Sequence, residues 1–528
     1  MRNEDFFKHF VGNSLTYDDL ILLPQYVNFS PNEVKLSAKL TEEITLNIPI
    51  ISSPMDTVTE DELAIAVALQ GGIGMIHYNM PPERQHEQIL KVKRFQNGFV
   101  SDPIVLAPEA TIRDVVEIRQ TEGYSIIPIT EDGTPRGKLI GMITKYDYST
   151  FSEDDLNKTV LERMIDISNL SIATYKELSS NDIFDLTLAN KRLLDSHSAA
   201  LPIVDSVGNL LFLITRSDLD KHQNYPNAAL DEAGRLLVGA AIETWPQKAY
   251  ERIETIGSDV DMIVFDTSQG YTQYEIDLIK WTKQHYPEIQ VIGGNVITAD
   301  ACDALIDAGA DVIRIGMGSG SICTTQEVGG IGRGQASAVY ECAKACHRRG
   351  KRCIADGGIK SSSDIVKAIC LGADAVMLGS LLACTSEAPG KTHIKNGVLL
   401  KEYRGMGSLK AMEKGSSVRY GIETSSIRIA EGVSGMVSSR GPISKWIPML
   451  LQGVRQGLHK LGLPTLKMIQ DKLADNGILI EKRSESAKRE GNIHSLYEVG
   501  SESYVSSYST PPEEQSEHVP NEEQLLMN

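Results

Sequence analysis

The sequence has no apolar run approaching the ~20 residues needed to span a bilayer. Its first residues, MRNEDFFKHFVG, are acidic early and hold no long apolar segment, so a secretory signal is not expected. The last residues, LLMN, match no address tag. Positive charge is in deficit: 52 Lys and Arg stand against 70 Asp and Glu, a net charge of −18. That deficit disfavours nonspecific nucleic-acid binding. It leaves anionic small substrates open, because a site's local field need not follow the total. Cysteine is sparse and confined, with all seven between Cys302 and Cys384. An odd count in one stretch of a large acidic chain argues against a disulfide framework and for a reducing, cytoplasmic compartment. Cys342, Cys346 and His347 give C-x3-C-H, too few ligands for a zinc site. The i, i+4 spacing on a core-facing helix explains the two thiols. Hydrophobic content of 41% and a mean hydropathy of −0.16 are ordinary for a soluble globular protein. At 528 residues the chain exceeds what one core usually organises, so two or more domains are expected.

What is present centres on residues 311–323, DVIRIGMGSGSIC. Val312, Ile313 and Ile315 read as a buried strand. Gly316, Gly318 and Gly320 then let the backbone turn tightly and approach a ligand. Ser321 and Cys323 follow. A thiol on a glycine-rich turn at the end of a buried strand is a candidate nucleophile, reactive as thiolate. The blander reading is a small residue filling a packed turn. The same G-x-G-x-G lacks the third glycine of a dinucleotide fingerprint and follows a late strand, which argues against a Rossmann dehydrogenase.

Eight runs read as strands: 48–53, 71–76, 236–241, 262–266, 291–295, 312–316, 353–357 and 375–379. Most are continuously apolar, as expected for parallel strands covered on both faces. Segments at helical spacing lie between them, such as 298–311. Repeated β–α units predict an α/β fold, a closed (β/α)8 TIM barrel.

The interval between the second and third runs is too long for one crossover. Residues 80–97 read as a helix. An internal repeat follows: Ser125 to Asp147 (SIIPIT, then LIGMITKYD) and Ala199 to Asp218 (AALPIV, then LLFLITRSD). Helix-like stretches, IRDVVEIRQ and NDIFDLTLA, precede the copies. This resembles a tandem CBS module. The resemblance places Thr144, Asp147, Thr215 and Asp218 near the ribose of a bound purine nucleotide of the ATP or GTP class. The blander reading makes them turn and cap residues. The expected domains are 1–98, first part of the barrel; 99–222, the tandem CBS insert; 223–496, the rest of the barrel; and 497–528, a disordered tail. Within the barrel, the polar span 400–440 reads as a lid or disordered segment. Residues 444–477 return to helical pattern. From Glu498 to Asn528 there are seven carboxylates and no Lys or Arg.

Barrel active sites lie at the C-terminal ends of the strands. The runs are followed there by Ser53, Met55 and Asp56; Asp266, Thr267 and Ser268; Asn295; Ser321 and Cys323; Asp356, Gly357 and Gly358; and Gly379 and Ser380. Gly358, Gly379 and Ser380 sit where such barrels bind phosphate. Asp356 suits ribose hydroxyls instead. The set reads as a site for a nucleoside monophosphate, with a thiol placed to attack its base.

The motifs SSPMDTVTE, FDTSQG, VIGGNV, GMGSGSICTTQEV, ADGGI, LGSLLA, YRGMGS, RYG and AEGVSG, with the inserted pair, resemble the inosine-5′-monophosphate (IMP) dehydrogenase family over residues 13–496. TTQEV resembles eukaryotic members more than typical bacterial ones. The resemblance implies NAD-dependent oxidation of IMP to XMP, the committed step of guanine nucleotide synthesis. It implies catalysis by Cys323, Thr325 and the pair Arg419–Tyr420, with Arg419 activating water from a mobile flap. It implies substrate contacts at Ser53, Met55, Ser321, Asp356, Gly357, Gly358, Gly379, Ser380, Tyr403, Arg404, Gly405, Met406, Gly407 and Glu431. The NAD side is implied to be Asp266, Thr267, Ser268, Asn295, Arg314, Gly316, Met317 and Gly318. A potassium ion is implied on Gly318, Gly320 and Cys323, completed by Glu490, Gly491 and Asn492 of a neighbouring subunit. A homotetramer that can stack into octamers is also implied, with no membrane or specific nucleic-acid partner.

Three departures stand out. Asn492 ends a motif that is Glu-Gly-Gly in the family. Gly334 replaces the usual proline between Arg333 and Gln335, predicting a more mobile loop over 324–335. Tyr78 replaces a His common in mammalian members, which would change stacking near the cofactor. The nearest rival is GMP reductase, which shares barrel and thiol and usually lacks both the insert and the Arg-Tyr lid. A nucleotide sensor with a dead barrel would have lost Cys323 or Arg419, and neither is lost.

Overall fold

The computed structural model of the chain describes residues 1–95, 103–122, 124–148, 153–180, 183–184, 186–216, 225–413 and 429–492. Eight parallel strands close into a barrel: β1 (Ile50–Ser52), β2 (Ile73–Ile76), β3 (Val238–Ile242), β4 (Met262–Phe265), β5 (Gln290–Val296), β6 (Val312–Ile315), β7 (Arg352–Asp356) and β8 (Ala375–Leu378). Each neighbours the next in chain order, and β8 pairs with β1 to complete the ring. All eight apolar runs fall on these strands.

The covering helices are α1 (Asp61–Leu69), α2 (Pro82–Arg94), α3 (Pro246–Ile256), α4 (Gln273–His285), α5 (Ala299–Ala308), α6 (Gln335–Arg348) and α7 (Ser362–Cys370). The eighth place goes to α8 (Ile443–Lys460), which packs on α7 and α1. The span 444–477 is therefore two helices, α8 and α9 (Leu466–Ala474). Local chemistry sets the ends. Thr272 caps α4 by accepting the N–H of Glu275, and α5 stops at Gly309 in the left-handed region.

Strand alternation divides each run between two cores. Met262, Val264, Val312, Ile354, Ala375 and Met377 fill the barrel interior, while Ile263, Phe265, Ile313, Ile315, Ala355, Val376 and Leu378 pack against the helices. Continuing the inward series by two puts Asp266, Arg314, Asp356 and Gly379 at the interior of the C-terminal rim. The apolar pattern that builds the barrel thereby delivers its charged residues.

The ring must close across a long interruption, since β2 and β3 are separated by the insertion. Gly74, Met75 and Ile76 pair in parallel with Val238, Gly239 and Ala240. Buried polar groups stitch the same seam. Gln85 of α2 donates to Ile76 O and Ala241 O. Arg252 of α3 donates to both oxygens of Glu243, to Gln85 Oε1 and to Met80 O. Lys93 of α2 reaches Asp231 and Asp261. Tyr78 is buried beneath the Arg252 guanidinium, 5.9 Å from its ring centre, and does not line the cavity described below.

The insertion replaces an αβ connection, so it leaves the barrel at the end opposite the C-terminal rim. The proposed boundaries at 98/99 and 222/223 fall among residues 96–102 and 217–224, outside those described. Both repeat copies form antiparallel hairpins, Ile126–Thr130 with Leu139–Thr144 and Ala200–Val204 with Leu210–Thr215. Each carries a register irregularity at the same place, Ile129/Thr130 and Ile203/Val204. The hairpins meet through Leu139 N–H to Gly208 O and Leu210 N–H to Gly137 O. The first expected helix runs Ile112–Glu122. The second departs from expectation: Ile183–Phe184 is a short strand, and the helix is Leu186–Asp195.

The polar span 400–440 holds more order than its composition predicts. Thr392–Lys395, Val398–Arg404 and Ser434–Ser438 form a three-stranded antiparallel sheet. Its inward positions are Lys401 and Tyr403, not aliphatics, so an apolar count misses it. Lys401 is satisfied by Ser386 O and Ala388 O. Arg419, Tyr420 and the tail from 493 lie outside the described residues. Among the described residues no helix is long and apolar enough to cross a membrane.

Removing one member of the buried Arg252–Glu243 pair strands the other. Arg252→Met should lower stability by about 3–5 kcal/mol, read as an earlier thermal unfolding of the full chain.

Candidate active site

A cavity opens at the C-terminal rim, lined by Asn295 of β5 and by the turns after β1, β4, β6, β7 and β8. Cys323 sits in it, with Sγ 3.2 Å from Thr325 Oγ1. That hydroxyl donates to Glu431 Oε2 at 2.9 Å. With the hydroxyl proton given to Glu431, the Thr325 oxygen is left to accept from the thiol. A proton leaving sulfur thus has a path to a carboxylate.

The nucleophile loop is held on both sides by backbone. Thr324 N–H donates to Glu431 O, and Val433 N–H to Ile322 O. Beyond them Gly405 N–H donates to Val433 O, and Glu431 N–H to Gly407 O. The stretches 322–324, 431–433 and 405–407 therefore lie side by side. Underneath, Gln335 at the start of α6 joins three elements. Its Nε2 donates to Ile315 O and Asp356 O, and its Oε1 accepts from Ser319. Gly316 has φ +143°, and a Cβ there would sit 2.0 Å from Asp356 O, so only glycine fits. Gly334 serves close packing as well. Its N–H donates to Ser14 Oγ at 2.5 Å, and a Cβ there would meet Leu15 O. A proline would lack that donor.

The floor is an ion network. Arg314 donates through NH1 to Asp266 Oδ1 (2.7 Å) and through Nε to Asp356 Oδ2 (2.9 Å). Asn295 Nδ2 adds a third donor, to Asp356 Oδ2 at 3.0 Å and to Gly316 O. These donors converge on Oδ2, which leaves Asp356 Oδ1 for a ligand. Asn295 Oδ1 is buried without a partner among the described residues, although its residue lines the cavity. It is positioned from behind by Glu275, which is fully buried and accepts Gly294 N–H at 2.7 Å. Burial and the Asp266 charge push the Glu275 carboxyl well above the usual range. Burial also raises the Tyr403 phenol, which hydrogen-bonds Ser321.

Comparison with known proteins bears directly on this arrangement. Residues 14–494 match the family model described as the IMP dehydrogenase / GMP reductase domain. The chain belongs to that family. It is 41% identical to an inosine-5′-monophosphate dehydrogenase of Toxoplasma gondii, over 91% of this chain and 95% of that one. It is 42% identical to one of Caenorhabditis elegans, over 92% and 93%, and 41% identical to one of Schizosaccharomyces pombe, over 93% of each. Among solved structures it resembles a GMP reductase variant of Trypanosoma brucei in complex with guanosine 5′-monophosphate. The TM-score there is 0.80 at 33% identity, covering 94% of this chain and all of that one.

Family membership makes the placement of each expected residue informative. Cys323, Thr325 and every expected substrate contact except Arg404 line the cavity. Arg404 is committed to a two-point ion pair with Asp56, which pins the sheet at 398–404 to the turn after β1. On the expected cofactor side, Asp266 does not line the cavity; it is fully buried behind the wall on Arg314, while its seven companions do line it. Gly318 and Gly320 line it too, but Glu490, Gly491 and Asn492 lie elsewhere, ending a short helix (Glu485–Glu490) docked through Lys488 on Asp19. In the insertion, Thr144 donates to Asp147 from both N–H and Oγ1, at 2.7 Å each. These bonds close a tight turn over 144–147; Asp218 lies outside the described residues.

Sequence reasoning missed Gln335, Ser319 and Glu275. Glu275 follows Thr272 by three and reads as a capping pair, yet its carboxyl serves Gly294. Gln335 offered only its place at a helix start.

The seven thiols divide sharply. Cys323 is partly accessible; the other six are buried. Burial pushes Cys370 and Cys384 up to about 12 and raises Cys353. Iodoacetamide on the native protein should alkylate Cys323 alone, with the other six labelled only after unfolding, as read by peptide mass spectrometry.

Proposed function

We propose that this chain is an IMP dehydrogenase, oxidising IMP to XMP with NAD. The strongest support is its 41–42% identity to three such enzymes across nearly their whole length. The thiol on a glycine turn, facing a cavity that offers a ribose acceptor and glycine turns at the last two strand ends, agrees with it.

The Cys323 thiol first gives its proton through Thr325 to Glu431, and the thiolate so formed adds to C2 of the hypoxanthine, forming an S–C bond. What NAD supplies when bound is an acceptor for the C2 hydride. The purine is left on Cys323 as a thioimidate. Water adds to C2, the S–C bond breaks, and XMP leaves with the thiolate restored. In sum IMP, NAD+ and water give XMP, NADH and a proton. Asp356 Oδ1 takes the ribose hydroxyls. Gly358, Gly379, Ser380, Ser321 and Tyr403 surround the phosphate. Asn295 Oδ1, with Thr267 and Ser268, faces the nicotinamide. Arg419 with Tyr420 is proposed as the base for water on the resemblance alone; a guanidinium is ordinarily protonated.

Potassium is compatible with the nucleophile turn. Gly320 O accepts Cys323 N–H and Gly318 O accepts Gln326, which leaves each a second lone pair. Main-chain carbonyls of 490–492 from a neighbouring copy in a homotetramer would complete the set. The insertion is read as a regulatory CBS pair for purine nucleotides, and the free thiols favour a reducing cytoplasmic setting.

GMP reductase is the second reading, and one observation favours it. The Trypanosoma match covers 94% of this chain, so the inserted segment does not by itself separate the activities. The assay that decides is NADH formation from IMP and NAD against NADPH consumption with GMP. IMP turnover is expected, together with a nucleotide adduct on Cys323 trapped in mass spectrometry. Cys323→Ala should lose both; undiminished conversion by that variant would sink the mechanism.

A further inference from the structure

The cavity is poor in cations for a dianionic substrate. Among the described residues lining it, the cations are Arg314 and Lys360, against the carboxylates of Asp356 and Glu431. Arg314 is spent on Asp266 and Asp356. Lys360 is not spent. Its Nζ lies 3.4 Å from Asp18 Oδ2, with the two side chains 60% and 62% exposed. A pair so exposed and so long is weak and readily exchanged.

Its backbone is fixed where the side chain is not. Lys360 follows the turn at Gly357 and Gly358, both at positive φ, and its N–H donates to Asp364 Oδ2 at 2.9 Å. Ser361 then stands at the N-terminal boundary of α7 and donates its hydroxyl to Asp364 Oδ2. The other charges packed nearby are committed. Asp364 serves Lys360 N–H and Ser361, Lys367 donates to Tyr17 O, and Asp19 pairs with Lys488. The ammonium thus stands on the phosphate-side loop with a partner it can leave.

We infer that Lys360 is a specificity-determining residue of this site, exchanging Asp18 for the phosphate of the incoming nucleotide. The inference rests on the proposed IMP activity. In a chain of net charge −18, a mobile ammonium at the rim favours capture of a doubly charged phosphate over its nucleoside.

The test compares Lys360→Gln and Lys360→Arg with the parent in steady-state assays. KM for IMP should rise about ten-fold in Lys360→Gln, with the loss on kcat/KM rather than kcat. It should recover in Lys360→Arg. The difference should shrink as salt is raised, because a rim charge is screened. Inhibition by inosine, which has the same base and ribose without phosphate, should be the same in all three. A KM within two-fold of the parent overturns the inference, and so does an equal loss for inosine. A parent that turns over no IMP overturns the proposed function itself, a result distinct from either.

Discussion

The molecule depends on closing a ring of strands whose second and third members are far apart in sequence. Pairing Gly74–Ile76 with Val238–Ala240 gains no help from chain proximity, so it must be held by what crosses the seam. Apolar packing supplies most of that, and Gln85, Arg252, Glu243 and Lys93 make the register specific. Each is buried; Gln85, Arg252 and Lys93 each bond to groups on the opposite side of the interruption, and Glu243 holds the Arg252 guanidinium in place. A mis-set strand would leave several of them unpaired in a dry environment, which is costly. Polar groups here buttress an apolar core by penalising its alternatives.

At the other end of the strands the same economy recurs. One guanidinium, Arg314, serves two carboxylates that belong to different strand ends. One amide, Gln335, serves two carbonyls and a serine hydroxyl. The nucleophile loop has little apolar anchorage of its own and is fixed by these hubs and by a backbone ladder to 431–433. Rigid placement of a thiol without large side chains leaves the volume around it free for a substrate.

The barrel was legible because eight apolar runs with helical stretches between them leave few alternatives, and the inserted hairpins because they repeat. The cavity was legible for a related reason: residues just past a strand end must face the rim. Long-range polar roles were not. Nothing adjacent to Gln335 marks it as the tie between β6, β7 and the thiol loop. Glu275 wears the pattern of a helix cap. Arg404 looks like a ligand contact by neighbourhood, and the sequence does not show that Asp56 lies across from it as an ion-pair partner. The sheet over 392–438 was hidden because its buried face carries Lys401 and Tyr403, and hydrophobic periodicity cannot register a lysine that is satisfied by carbonyls.

The place of the insertion has a consequence for control. It emerges from an αβ connection, whereas the thiol stands on a βα turn, so the full length of the strands lies between them. Among the described residues, those lining the cavity around Cys323 include none from the insertion. Any influence that a ligand on the inserted hairpins has on turnover would be a coupling free energy between two sites set at opposite ends of the strands.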